Sequence, residues 1–372
     1  MNGEGAKMKD YKDYANLSNA EALERIKFVR ASSGDKLTIL AHYYALDEIV
    51  ELADFVGDSL ALAKKAVSSS ADAVLFCGVR FMLETADILL NRPERILARG
   101  GRRAIVMAPD LSSGCPMADM IDAVQANDWK RQLETLVDFS DFTPITYVNS
   151  SAETKAFCGR YGGSICTSAN AEKVVRAAFA RRPKLLFMPD SRLGRTTSLA
   201  VGIVPEQIAL WRPNEPFGGN SPETIQRARV ILWDGYCPVH QRFSSAWIRR
   251  FREETPGAQF WVHPEAQREI VETSDGYGST TKLLDVVANA PKGSALAIGT
   301  EWKLVDRIRR QNPDKKIFYP GDEPSVCVDM SKSTLQKSAW VLENWAEGNP
   351  VNEVSISEDV AKDAYRALES LL

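Results

Sequence analysis

Three short stretches carry the residues best suited to chemistry. Residues 112–120 read S-S-G-C-P-M-A-D-M, residues 235–243 read G-Y-C-P-V-H-Q-R-F, and residues 319–330 read Y-P-G-D-E-P-S-V-C-V-D-M. Each places a lone cysteine (Cys115, Cys237, Cys327) in a turn, and the three turns lie far apart along the chain. A fold that brings three thiols to one point makes a metal centre. A structural zinc site wants a fourth protein ligand. His240 could supply one, although so dispersed a ligand set is not a usual zinc module. A [4Fe–4S] cluster on three cysteines leaves one iron without a protein ligand, free to act as a Lewis acid on a substrate oxygen.

The same residues have plainer readings. A single cysteine is most often a small buried hydrophobe, and Cys77, in an apolar strand, and Cys158 and Cys166, flanking a glycine-rich loop, read as core or spectator residues. With 372 residues the chain is long enough for more than one core, and its formal net charge of −3 gives no basic excess for nucleic acid. No apolar run is long enough to span a bilayer. The polar opening lacks a secretory h-region, so a cytoplasmic protein with neither membrane nor nucleic-acid partner is expected. Cytosolic cysteines are buried, catalytic or metal-bound rather than disulfide-paired.

The elements that must position these groups come in a repeating order. After a lead-in with one helix over residues 1–35, capped by Asn19, residues 36–142 alternate strands and helices up to the Cys115 turn. Residues 143–256 do so again up to Cys237. Residues 257–372 do so a third time, up to Cys327 and two closing helices. A helix is expected to run to Gly57 and another to begin at Asp58 or Ser59, while residues 213–222, rich in Pro and Gly, read as a surface excursion. Strands alternating with helices predict parallel α/β sheets, here in three tandem α/β/α domains.

Each segment offers three things in the same order. A strand ends on polar residues: His42-Tyr43-Tyr44, Tyr147-Val148-Asn149 and His263-Pro264-Glu265. A hydroxyl follows at a helix start: Ser59, Ser168 and Thr280. The cysteine comes last. Seventeen residues separate His42 from Ser59 and His263 from Thr280, against 21 from Tyr147 to Ser168. Ligands of open α/β sheets sit at the carboxyl ends of strands, and helix N-termini hold carboxylate or phosphate. The arrangement therefore suits a small, multiply anionic substrate. The three hydroxyls could equally be plain helix caps.

These segments, together with A-D-F-V-G-D-S-L (53–60), F-C-G-V-R-F-M-L-E-T-A (76–86), Y-V-N-S-S-A-E-T-K-A (147–156), T-S-A-N-A (167–171) and G-S-T (278–280), resemble quinolinate synthases in order across almost the whole chain. The resemblance implies three similar domains around a pseudo-threefold axis with the active site at their central junction. It implies condensation of iminoaspartate with dihydroxyacetone phosphate to quinolinate, with loss of phosphate and water, for NAD biosynthesis. It implies one [4Fe–4S] cluster on Cys115, Cys237 and Cys327. It also places substrate binding at His42, Ser59, Tyr147, Asn149, Ser168, His263, Glu265 and Thr280. Tyr44 and Glu265 are the candidates for proton transfer, and His240 for a contact near the cluster or the leaving group. L-Aspartate oxidase, which makes iminoaspartate, is a candidate partner. Two departures stand out: Ala266 replaces the cysteine of the H-P-E-C found in many relatives, and Cys327 has no neighbouring cysteines. The competing readings are a cluster-free aldolase or phosphatase and a zinc-stabilised binding protein.

Overall fold

The computed structural model describes residues 8–369. Three wholly parallel sheets form. The first holds β1 (Leu37–His42), β2 (Phe55–Gly57), β3 (Ala73–Cys77) and β4 (Ile105–Met107), in spatial order β2-β1-β3-β4. The second holds β5 (Phe142–Tyr147), β6 (Ser164–Cys166), β7 (Lys184–Met188), β8 (Ile208–Trp211) and β9 (Val230–Trp233), in order β6-β5-β7-β9-β8. The third holds β10 (Gln259–Val262), β11 (Gly276–Tyr277), β12 (Ala295–Gly299) and β13 (Lys316–Phe318), in order β11-β10-β12-β13. Parallel strands are covered on both faces and so read as continuous apolar runs; β3 (A-V-L-F-C) and β9 (V-I-L-W) are buried at every position.

The first and third sheets have one topology. The second adds an edge strand, β8, beside β9. In each sheet the chain leaves its first strand for one neighbour and then crosses to the other side. The first strand is therefore the switch point, where α/β sheets open a crevice at their carboxyl edge. His42 ends β1, Tyr147 ends β5 and His263 directly follows β10. Each cysteine turn follows the strand that pairs with the sheet's third strand: β4, β9 and β13.

The chain packs as two compact units. Of the described residues, one joins those up to 115 to 327–357 and contains the first sheet. The other joins 116–326 to those from 358 onward and contains the second and third sheets. The closing helices leave the third sheet. Leu335–Ala346 packs on the helix Asn19–Ser33, with Leu335, Ala339, Val341 and Leu342 joining Ala22, Ile26, Val29 and the β1 and β3 side chains in one core. Glu358–Leu368 packs on Ala152–Arg160 beside the second sheet. Spacing alone could not locate them, because an amphipathic helix is satisfied by any apolar face.

Local expectations also meet corrections. Ser18, not Asn19, caps the first helix, and Glu21 closes a reciprocal capping box. Residues 55–57 form a strand rather than a helix end: the preceding helix stops at Leu52, and Asp54 Oδ2 accepts from the Ile39 N–H, pulling the chain onto β1.

Candidate active site

In the unit of the second and third sheets, the strand ends build a buried polar chain. His240 sits two residues past Pro238 in the turn after Cys237 and is 2% exposed; Glu265 is equally buried. His240 Nδ1 lies 2.9 Å from Glu265 Oε2, and its Nε2 lies 3.4 Å from Thr300 Oγ1. The imidazoles of His240 and His263 stack at 4.5 Å with 13° between planes. The Tyr147 hydroxyl hydrogen-bonds Glu265 and receives a hydrogen bond from Ser168. A polar chain thus runs from Ser168 through Tyr147, Glu265 and His240 to Thr300. Gln241 ties the cysteine turn to it, its Nε2 donating to Cys237 O at 3.2 Å and to Glu265 O at 2.9 Å.

The chain sets protonation states. Burial alone would raise the Glu265 pKa, but His263 and His240, with hydrogen bonds from His240 and Tyr147, hold it down at about 2. Burial and the Glu265 charge keep Tyr147 a phenol far above its ordinary range. Asp190, wholly buried after β7, is likewise pushed well above the usual carboxyl range by burial and then by Glu265, against the opposing hydrogen bonds of Leu193 and Arg192. Its Oδ1 accepts the Arg192 and Leu193 N–H groups at 2.7 and 2.8 Å, while Oδ2 is buried with no hydrogen-bond partner. The two carboxyls are driven in opposite directions, Glu265 down and Asp190 up, which is how a protein prepares a base and an acid from one residue type.

Asn149, two residues past Tyr147, also keeps a buried Oδ1 without a hydrogen-bond partner. Beneath its loop the wholly buried Lys155 donates to Ser150 O, and Ser150 Oγ donates to Tyr147 O at 2.8 Å. Ser168 begins no helix, contrary to expectation: that helix starts at Ala171, and Asn170 Oδ1 accepts the Thr167 N–H. Ser168 is left to face Tyr147. Thr280 is the first residue of its helix and Ser279 the cap. A cavity of about 470 Å³ adjoins Ser168, lined also by Lys173, Arg176, Leu193, Pro264 and Tyr277. Its lining carries charge of both signs, Lys173 and Arg176 beside Glu172, whose Oε1 accepts from the Tyr277 hydroxyl at 3.4 Å.

In the other unit, His42 is 5% exposed and its Nδ1 accepts the Tyr44 N–H at 3.1 Å; the Tyr44 ring stands edge-on to it at 4.6 Å. Ser59 opens its helix behind the Asp58 cap. The turns of Cys115 and Cys327 are neighbours here. The Ser113 hydroxyl donates to Asp329 O at 2.6 Å, and the Gly114 N–H donates to Asp329 Oδ1 at 3.2 Å.

The six thiols divide three and three. Cys77, Cys158 and Cys166 are fully buried, and burial raises all three pKa values, that of Cys77 to about 12, so they stay neutral thiols. Cys115, Cys237 and Cys327 are partly exposed and reduced. Soft, accessible thiols are the donors an iron–sulfur cluster takes, and each of these three is of that kind. Cys237, His240 and Glu265 also bring one ligand atom each within 4.8 Å of one another, as a metal site would. Both His240 nitrogens already face Glu265 and Thr300, which favours the polar chain over a zinc site.

Asp190, Thr300, Gln241 and Lys155 belong to this site, and reading the sequence missed their roles. Asp190 alone left a signal, a carboxyl at a strand end.

Three parallel sheets, polar groups at their switch points and a buried ionised carboxylate linked to a phenol and an imidazole define an α/β enzyme of small-molecule chemistry. A family model described as quinolinate synthetase A protein matches residues 24–372, and the chain belongs to this family. It is 44% identical over 363 residues to the quinolinate synthase of Rhodopirellula baltica, covering 97% of this chain and 93% of that protein. It is 42% identical over 363 residues to that of Herpetosiphon aurantiacus (97% and 94% covered) and 41% identical over 361 to that of Corynebacterium glutamicum (97% and 89%). No described helix is long and apolar enough to cross a membrane.

Proposed function

We propose that this chain condenses iminoaspartate with dihydroxyacetone phosphate to quinolinate, releasing phosphate and water, in NAD biosynthesis in the cytoplasm. The observation that carries this is the buried chain Ser168–Tyr147–Glu265–His240–Thr300 at the ends of β5 and β10. Forming the ring requires removing protons from carbon and nitrogen and giving protons to departing oxygens. Glu265, ionised and pinned by His240, takes the proton from carbon. Tyr147, a phenol against that carboxylate, returns it, and Tyr44 serves the other end of the substrate. Asn149 and Ser168 orient the iminoaspartate carboxylates, with His42, Ser59, His263 and Thr280 completing the binding set. The proposal places one [4Fe–4S] cluster on Cys115, Cys237 and Cys327, with His240 close by; when bound it supplies Lewis acidity for dehydration. L-Aspartate oxidase is the proposed source of the unstable imine.

The test is an anaerobic assay for quinolinate, with iron and sulfide measured on the same protein. Serine at any one of Cys115, Cys237 or Cys327 is expected to abolish both cluster and product. Serine at Cys77 is expected to leave both. Tyr44→Phe is expected to keep the cluster and lose turnover. Product formation by a cluster-free parent would sink the reading in favour of a metal-free aldolase.

A further inference from the structure

The contacts between the Cys115 and Cys327 turns use residues that are neither thiols nor part of the polar chain. Asp329 is central. Its carbonyl accepts from Ser113, and its Oδ1 accepts from the Gly114 N–H and from Lys332 Nζ at 2.7 Å. Lys332 Nζ reaches back to donate to Ser112 O at 2.6 Å. Lys337 Nζ joins Asp110 Oδ2 at 2.6 Å to Lys332 O at 3.1 Å, and Asp110 Oδ1 accepts the Ser112 N–H at 2.8 Å. Ser331 Oγ donates to Cys327 O at 3.1 Å. Ser113 is 2% exposed, and its carbonyl accepts the Arg80 N–H at 2.8 Å. Segments more than 200 residues apart in sequence are thus fastened by groups just before Cys115 and just after Cys327.

Small, polar turns ordered only by a bound ligand would lose their conformational freedom at the moment of ligation. A clamp that orders them beforehand removes that cost and slows ligand loss. We propose that Asp329, with Lys332 and Ser113, is a positioning clamp that sets the spacing of Cys115 and Cys327 before any cluster is present. Asp329 is the key member because one carboxylate oxygen holds both a backbone N–H of the first turn and the lysine that grips the same turn from the other side. As a statement about cluster retention this rests on the cluster reading above; as a statement about thiol spacing it does not.

Two arms test it on the full-length chain. In metal-free Cys237→Ser protein, dibromobimane, which fluoresces only when both of its arms have reacted, is expected to bridge Cys115 and Cys327. Asp329→Ala or Lys332→Met is expected to slow bridging about tenfold, the equivalent of about 1.4 kcal/mol. In anaerobically reconstituted protein with all cysteines present, a chelator is expected to strip iron from either variant about tenfold faster than from the parent. Asp329→Asn, which keeps an acceptor for Gly114 but loses the lysine's charge partner, is expected to fall between. Arg30→Met, which breaks the Arg30–Asp54 pair elsewhere in the same unit, is the control and is expected to match the parent in both arms. Parent-like bridging and stripping rates in Asp329→Ala and Lys332→Met would overturn the clamp, as would equal acceleration in the control. If Asp329→Ala does not fold, Asp329→Asn and Lys332→Met, which change charge with little change in volume, decide. A parent without iron and sulfide would sink the cluster reading instead, and the bridging arm then decides the clamp alone.

Discussion

The surroundings of Glu265 and of Asp329 make an instructive pair. Both carboxylates sit in turns beyond parallel strands, and both gather hydrogen bonds from segments distant in sequence. Glu265 is 2% exposed, and its partners are side chains that can exchange protons: Tyr147 and His240. The side chain of Asp329 is 18% exposed, and its partners are a backbone N–H and a lysine, which fix geometry and exchange nothing. Removing water strengthens charge interactions and makes them costly to leave unpaired. The buried network is therefore where chemistry is set, and the wetter one is where loops are held.

Glu265→Gln breaks the first network at its charge and gives the largest expected effect. The amide keeps the volume but can neither take a proton nor hold His240 by charge. A positioned general acid or base contributes roughly 10²–10⁴-fold, so turnover should fall by about that factor while iron and sulfide stay at parental levels. Turnover within a factor of a few of the parent would remove Glu265 from proton transfer and erase the contrast with Asp329.

Gly235→Ala probes the scaffold beneath the buried network. A Cβ at Gly235 would stand 2.4 Å from Pro189 O, and the bridge there joins Asp190 to the start of the Cys237 turn. The backbones must separate, at a cost of roughly 1–3 kcal/mol for overpacking. The thermal midpoint of the metal-free protein is expected to fall, and cluster retention to fall with it because Cys237 hangs from that turn. An unchanged midpoint would mean the turn yields freely, leaving only the Asp329 side pre-ordered.

Much of this was legible in the sequence. Apolar runs such as Ala73–Cys77 and Val230–Trp233 fall where the restart pattern puts strands, and each switch-point strand ends on the polar residues singled out by type. Short edge strands were not legible: three residues at 55–57 or 164–166 show no period, and neighbouring strands decide them. Nor was β8, hidden beside a Pro- and Gly-rich stretch. The ends of the chain mislead for a different reason. Sequence adjacency places Cys327 and the closing helices with the third sheet, yet Cys327 and Leu335–Ala346 fall in the compact unit of the first. Lys155 and Asp190 look like ordinary surface charges until the structure seals them in.

Asp190 offers the finest test of the buried network, since its contribution depends on pH rather than on contacts alone. Burial and the Glu265 charge raise its folded pKa. In the unfolded chain an aspartate titrates near about 3.9. Between those two values the folded state holds a proton that the unfolded state has released, so stability declines as pH rises through the window. Below the unfolded value both states are protonated and the cost vanishes. Asp190→Asn copies the protonated form at every pH and should melt higher than the parent at neutral pH, the difference shrinking steadily towards pH about 4. Melting curves of the metal-free proteins from neutral to mildly acidic pH read this directly. A constant gap, or a variant less stable at neutral pH, would show that Asp190 is ionised in the fold. Asp190 would then join Glu265 as a second anion of the buried network, and the contrast with the Asp329 clamp could not rest on Glu265 alone.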